Sequence, residues 1–305
     1  MANAKNATFL FQRDFMEYHK DRFDDYSLLV YKNEKLCALL PANIDKSSVY
    51  SHQGLSYGSL ITSNKIKFKD TLEAFKIILE YLEKDNIEKL IIKVFPKIYS
   101  GTVSGELDYL LFLLKAKQIR SEISSTINLS NPFKIQPNRM EGVKKANKIG
   151  LEIKESNDFK SFWNKVLTPN LLERFDASPV HSLEEIEMLA NRFPKNILQF
   201  NVFNKDTIVG GATIFESKNV AHVQYISATN DKQSLGTLDF LFEFLIKERF
   251  KFKMYFDFGT SNENQGLNIN EGLQYWKECF GARASVNQSF SIETKNHSLL
   301  DAVFI

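Results

Sequence analysis

Three side chains in the C-terminal third of the chain could do chemistry: Tyr225, Asp257 and Lys277. Lys277 follows Trp276 on a short helix of otherwise apolar faces. A cation there could stabilise an oxyanion or hold a phosphate; the ordinary alternative is a solvated lysine whose stem packs on the indole. Asp257 lies mid-strand between Phe256 and Phe258, so its carboxylate points away from theirs. It could act as a general base, or tie down the loop at Asn262–Asn264. Tyr225 could give a proton or simply pack. Arg139, Lys144 and Lys145, with Lys148, form a basic helix face that is either solvated or holds a phosphate. His52 and Tyr57 lie in a stretch carrying Gly54 and Gly58 and could face an interdomain cleft, although a histidine of this kind is ordinarily structural. His222, between Ala221 and Val223, reads as structural, and Glu184 and Glu185 as first-turn helix charges.

The elements that must position these residues can be read from periodicity. Within Ala221–Gly281 the pattern gives a strand (Ala221–Ala228), an apolar helix (Gln233–Phe250), a strand (Lys253–Phe258), a polar loop and a helix near Leu273–Phe280. A helix between two such strands makes a βαβ unit, whose helix N-terminus suits an anion. Upstream, Phe9–Phe23 has helical spacing, Ser27–Ile44 reads as a hairpin, and Val49–Ile61 as a strand whose glycines imply a bulge or a close backbone approach. A helix over Lys67–Lys84, a strand over Lys89–Phe95, a helix over Asp108–Ala116 and a strand over Gln118–Leu129 complete the first half. The pattern breaks at Ser130-Asn131-Pro132, which places domains at 1–132 and 133–305. The second half opens with a helix from Pro137 to Ile149, stopped by Gly150. It continues with a strand (Leu151–Lys154), helices at Asp158–Leu171 and Leu183–Arg192, and a meander of Ile197–Phe203, Thr207–Phe215 and Val220–Ala228. Each half thus has helical material, antiparallel strands, a long helix, a strand, a helix and a last strand: a duplicated α+β domain.

Composition fits a globular chain, with 43% hydrophobic and 25% charged residues and 26 phenylalanines to build aromatic cores. A net charge of +2 gives no expectation of DNA or membrane binding. Cys37 and Cys279 lack metal or redox spacing and read as reduced, buried thiols, and no metal site is expected. No signal peptide is evident, and no run approaches the ~18 apolar residues of a membrane span, so a cytoplasmic protein is expected.

Three motifs in the correct order resemble the Fem-like branch of tandem GNAT acyltransferases. Arg139 with Val143-Lys144-Lys145-Ala146-Asn147-Lys148-Ile149-Gly150 is similar to the basic helix that opens the family's second domain. Tyr255-Phe256-Asp257-Phe258-Gly259 is close to its Y-D-F-G-G strand. Gly272-Leu273-Gln274-Tyr275-Trp276-Lys277-Glu278-Cys279-Phe280-Gly281 is close to G-L-x-x-F-K-x-x-F-G. The resemblance covers residues 135–290 well and the first half through architecture. It implies an α+β fold of two tandem GNAT-like (acyl-CoA N-acyltransferase) domains with mixed central sheets flanked by helices. It also implies acyl or aminoacyl transfer to an amine, with Lys277 as the family's electrostatic lysine and with Gln224 and Tyr225 on the strand that borders the donor.

CoA-using members bind pyrophosphate with a Q/R-x-x-G-x-G/A loop. This chain has Gln233-Ser234-Leu235-Gly236-Thr237, followed by Leu238 at the last small position. Acetyl-CoA or another acyl-CoA and aminoacyl-tRNA both stay open as donors. The acceptor would be a small-molecule or nucleotide-linked glycan or peptide amine in cell-envelope or surface-polysaccharide synthesis. A Fem-type aminoacyl-tRNA-dependent peptidoglycan-precursor ligase, and a non-catalytic ligand-binding module that kept the fold, are the alternatives. Such a transfer needs only an amine that loses a proton and a carbonyl oxygen held as it gains charge, so the lack of an evident Ser/His/Asp or Cys/His set is no objection.

Overall fold

Residues 3–305 are described by the computed structural model. They form two compact units. One comprises residues up to Glu122 with Asn264–Leu267 and Val286–Ile305, the other Ile123–Glu263 with Asn268–Ser285.

The first unit is organised by the helix Phe68–Lys84. Its apolar stripe of Leu72, Phe75, Ile78, Leu79 and Leu82 recurs every three or four residues and packs with Leu90, Ile92 and Ile292 from the sheet. That sheet sets Ser48–Tyr50 parallel to Lys89–Lys93, with Ser289–Glu293 antiparallel on the other side of Lys89–Lys93. The expected hairpin forms from Leu28–Lys32 and Lys35–Leu40. Two expectations change. Phe9–Phe23 is not one helix but short turns at Phe9–Phe11, Arg13–Met16 and Glu17–His19. The Val49–Ile61 stretch leaves the sheet after Tyr50, because His52 and Ser59 take positive φ (64° and 128°). The close approach foreseen for its glycines is to the chain itself. A β-carbon on Gly54 would lie 2.2 Å from the His19 ring, and one on Gly58 would lie 2.0 Å from the Ser51 carbonyl oxygen.

In the second unit the strands Ile197–Asn204, Thr207–Glu216 and Val220–Ala228 form the expected antiparallel meander, and Leu151–Ser156 adds to it by pairing antiparallel with Ile197–Asn204. Val220–Ala228 then pairs in parallel with Tyr255–Thr260, and that strand pairs antiparallel with the Ser124–Asn128 segment. One face of this sheet is apolar. Phe200, Ala212, Ile214, Ala221, Val223, Phe256 and Phe258 meet Leu241, Phe242, Leu245 and Phe280. The Phe242 and Phe258 rings stack with centroids 5.2 Å apart. The foreseen helix Gln233–Phe250 is interrupted. A single turn at Lys232–Leu235 ends at Gly236 in the left-handed region (φ 71°), and a new helix runs over Thr237–Phe244 and widens into a π-turn to Arg249. A similar π-turn, Trp163–Leu167, joins Phe159–Phe162 to Thr168–Phe175. Among the described residues no helix is long and apolar enough to cross a membrane, and Cys37 and Cys279 are unpaired with each other, the former only half-buried.

Candidate active site

Because Phe256 and Phe258 enter the core, Asp257 is turned to the opposite face of the sheet, where it is 3% exposed. The register puts His222 across from it on the parallel neighbour and Thr126 across from it on the antiparallel one. Side chains opposite one another on one face are in contact distance. His222 Nδ1 is 2.8 Å from Asp257 Oδ2. Oδ1 accepts from Thr126 Oγ1 at 2.9 Å, from Ser124 Oγ at 2.6 Å and from the Gly259 amide at 3.3 Å. Ser124 reaches it because the register slips between Asp257 and Thr260. Burial opposes the charge, but the bonds from His222, Ser124 and Thr126 outweigh it, so this carboxyl titrates below its usual range.

The turn after Asp257 carries Gly259 at φ 72°, and its carbonyl points at Lys277. The helix Glu271–Glu278 is capped by the Asn270 side chain, which accepts from the Leu273 amide. On it, Trp276 packs against Phe242, Phe258 and Phe280. Lys277 is 3% exposed, and its Nζ donates to the carbonyls of Gly259 (3.0 Å) and Thr260 (2.7 Å). Burial lowers its pKa to about 8, with Asp257 acting against that fall. An ammonium has three donors, so one hydrogen of Nζ remains for another acceptor.

The two central strands also part here. Parallel pairing runs through Val220↔Tyr255, Ala221↔Phe256 and His222↔Asp257 and then ceases, although both strands continue. Opposite the parted edge, the register between Thr213 and Ile214 skips Gln224, a bulge. Tyr225, next along, is 9% exposed. Its hydroxyl accepts from the His181 amide at 3.0 Å and meets His181 Nδ1 at 2.6 Å, while its ring stands edge-on to Trp163.

The remaining sequence candidates are dispersed. Gln233 and Ser234 are exposed, Leu235 half-buried, Gly236 and Thr237 buried. A β-carbon on Gly236 would lie 2.1 Å from the Gly142 carbonyl oxygen, so the helix Pro137–Ile149 packs directly on this turn. Arg139 spends its charge on Asp239 at 3.0 Å, and Asp239 also accepts from the Trp276 indole at 3.4 Å. Lys144 and Lys145 are exposed on the same helix. His52 and Tyr57 belong to the first unit. His52 stacks on His19 at 4.8 Å, and burial lowers its pKa to about 4. The Tyr57 hydroxyl is 2.8 Å from that of Thr8.

Thus Lys277 and Asp257 meet through Gly259, with Tyr225 and Gln224 on an adjoining strand. His222, Ser124 and Thr126 belong to the same cluster and were not singled out for it. The available signal was a polar residue flanked by apolar ones at corresponding places in both strands of the βαβ unit: Ala221-His222-Val223 and Phe256-Asp257-Phe258.

No protein-family profile matches the sequence, and no curated protein is similar to it. Solved structures share its fold. FemX superposes with a TM-score of 0.67 at 13% identity, covering 98% of this chain and 95% of that one. The L-PGS of Bacillus licheniformis gives 0.59 at 11% identity, over 91% and 86% of the two chains. A tandem GNAT protein from the clavulanic acid biosynthesis pathway gives 0.50 at 10% identity, over 88% and 82%. The chain therefore shares the fold of FemX and of a tandem GNAT protein, an α+β fold of two GNAT-like domains.

Proposed function

We propose that this protein is an acyl or aminoacyl transferase that acylates an amine, carried by a sugar- or peptide-linked acceptor of cell-envelope or surface-glycan synthesis. The observation that carries this reading is the parting of the parallel strands at His222 and Asp257, beside the buried ammonium of Lys277. Strand edges that have lost their partners can pair with the amide and carbonyl groups of a donor. The remaining Lys277 hydrogen then answers the charge that builds on the carbonyl oxygen as the amine attacks. The FemX and tandem GNAT folds support transfer chemistry in general terms; the acceptor class rests on the family resemblance alone.

One observation favours an aminoacyl ester, as on aminoacyl-tRNA, over acyl-CoA. The helix start at Thr237 carries the Asp239 carboxylate in its first turn, and Gly236 is covered by the Gly142 carbonyl. A pyrophosphate needs open amides and positive potential at that place. The exposed Lys144 and Lys145 would meet tRNA phosphates instead. The test is transfer of labelled amino acid from charged tRNA, set beside transfer from acetyl-CoA and a thermal shift with CoA. Transfer from the tRNA ester with no CoA shift supports this donor. A saturable CoA shift with acetyl transfer reverses the donor choice, and binding of either donor without transfer leaves a ligand-binding module.

A further inference from the structure

We infer that His222 is the general base of this transfer, its Nε2 taking the proton of the attacking amine while Asp257 holds Nδ1. The inference rests on the transferase reading above and adds to it a residue of the chemistry.

The carboxylate dictates the tautomer. An ionised Asp257 accepts hydrogen bonds only, and its Oδ1 already receives Ser124, Thr126 and Gly259. His222 must therefore donate from Nδ1 to Oδ2, which leaves the lone pair on Nε2. Among the described residues no hydrogen-bond partner is found for Nε2, and the side chain is 20% exposed, against 4% for that of Asp257. The imidazole thus joins a buried anchor to an accessible acceptor atom. It stands at the last paired residue before the strands part, where an amine meeting a donor carbonyl would arrive. The charged neighbours are Asp257 and, past it, Lys277, held to the Gly259 carbonyl. On the other strand the register partner is the apolar Phe215. A β-carbon on Gly259 would come within 3.3 Å of His222 Cε1, so the bare Gly259 lets the ring lie against the turn that Lys277 closes.

The step balances without another reagent. The amine nitrogen forms its bond to the acyl carbon and gives one proton to Nε2. The tetrahedral intermediate collapses, the bond from acyl carbon to the ester oxygen (or thioester sulfur) breaks, and the imidazolium returns the proton to that leaving atom. Asp257 stabilises the imidazolium throughout and keeps its own proton inventory unchanged.

Two measurements test this. Diethyl pyrocarbonate acylates unprotonated imidazole nitrogen, and peptide mass mapping locates the adduct. The expected result is rapid acylation of His222 in the native protein, slowed severalfold in Asp257→Asn. If native His222 stays unmodified while the unfolded chain reacts there, Nε2 is closed and the inference falls. The second measurement is transfer from charged tRNA and from acetyl-CoA to hydroxylamine across pH. His222→Gln should lose ~10²-fold or more in kcat with donor KM unchanged, and should lose the acid limb of the pH profile. His222→Ala should be rescued by added imidazole, which a merely structural role would not permit. A variant as fast as wild type overturns the base assignment and leaves the transferase reading intact. Wild type inert with both donors, yet acylated at His222, removes the transferase reading and the base assignment with it.

Discussion

Gly142 and Gly236 meet backbone to backbone: the space a β-carbon would need on Gly236 is filled by the Gly142 carbonyl oxygen at 2.1 Å. The contact seats the helix Pro137–Ile149 on the turn before Thr237–Phe244, and it holds Arg139 within reach of Asp239. Gly236→Ala adds a clash to a left-handed residue, so a loss of about 2–4 kcal/mol in urea unfolding is expected. Gly142→Ala should cost a comparable amount, because its β-carbon would lie 2.1 Å from Asp239 Oδ2 and drive that carboxylate off Arg139. Wild-type stability in either variant would mean that the two helices slide apart freely.

Lys277 gives stability an alkaline slope. Its pKa falls to about 8 in the folded protein from 10.5 when solvated. Between those values the unfolded chain holds more protons than the native one, so the Lys277 contribution rises with pH across about 8 to 10.5 and is flat below. The expected result is that stability of wild type relative to Lys277→Met climbs over that window. A difference independent of pH would contradict the burial of the ammonium. Transfer activity should fall earlier, as pH rises through the folded value of about 8, because the charge that faces the oxyanion is lost there.

Asp257 acts at the other end of the scale. Its folded pKa lies below the unfolded value near 3.9, so its contribution is full above that pH and is lost as pH drops through the folded value. Asp257→Asn should be less stable than wild type by about 1–3 kcal/mol at neutral pH, and the gap should close in acid. Chemical denaturation at neutral and acid pH measures this. A gap that persists unchanged in strong acid would rule out an ionised carboxylate in this cluster.

Tyr225→Phe separates packing from proton transfer. The hydroxyl is engaged by the His181 amide and ring, so its removal should destabilise the fold by about 1–2 kcal/mol. With His222 as base, kcat should change little. A loss as large as that of His222→Gln would make the tyrosine the proton carrier instead.

Much of this architecture follows from local pattern. The alternation Phe256-Asp257-Phe258 dictates which way the carboxylate points, and Pro137 with Gly150 bounds a helix whose C-cap takes φ 80° as only glycine does readily. The meander and the motif around Lys277 were legible for the same reason: each depends on residues a few places apart. Tertiary structure decided what those residues touch. His222 meets Asp257 through the register of two strands separated by a whole helix, a relation no periodicity carries. The helix break at Gly236 comes from the neighbour pressed on it, the burial of Lys277 from two carbonyls in a turn of another element, and the closed glycines Gly54 and Gly58 from His19 and Ser51. Local sequence sets the direction of a side chain; the partner it finds there is fixed only when distant strands and helices close around it.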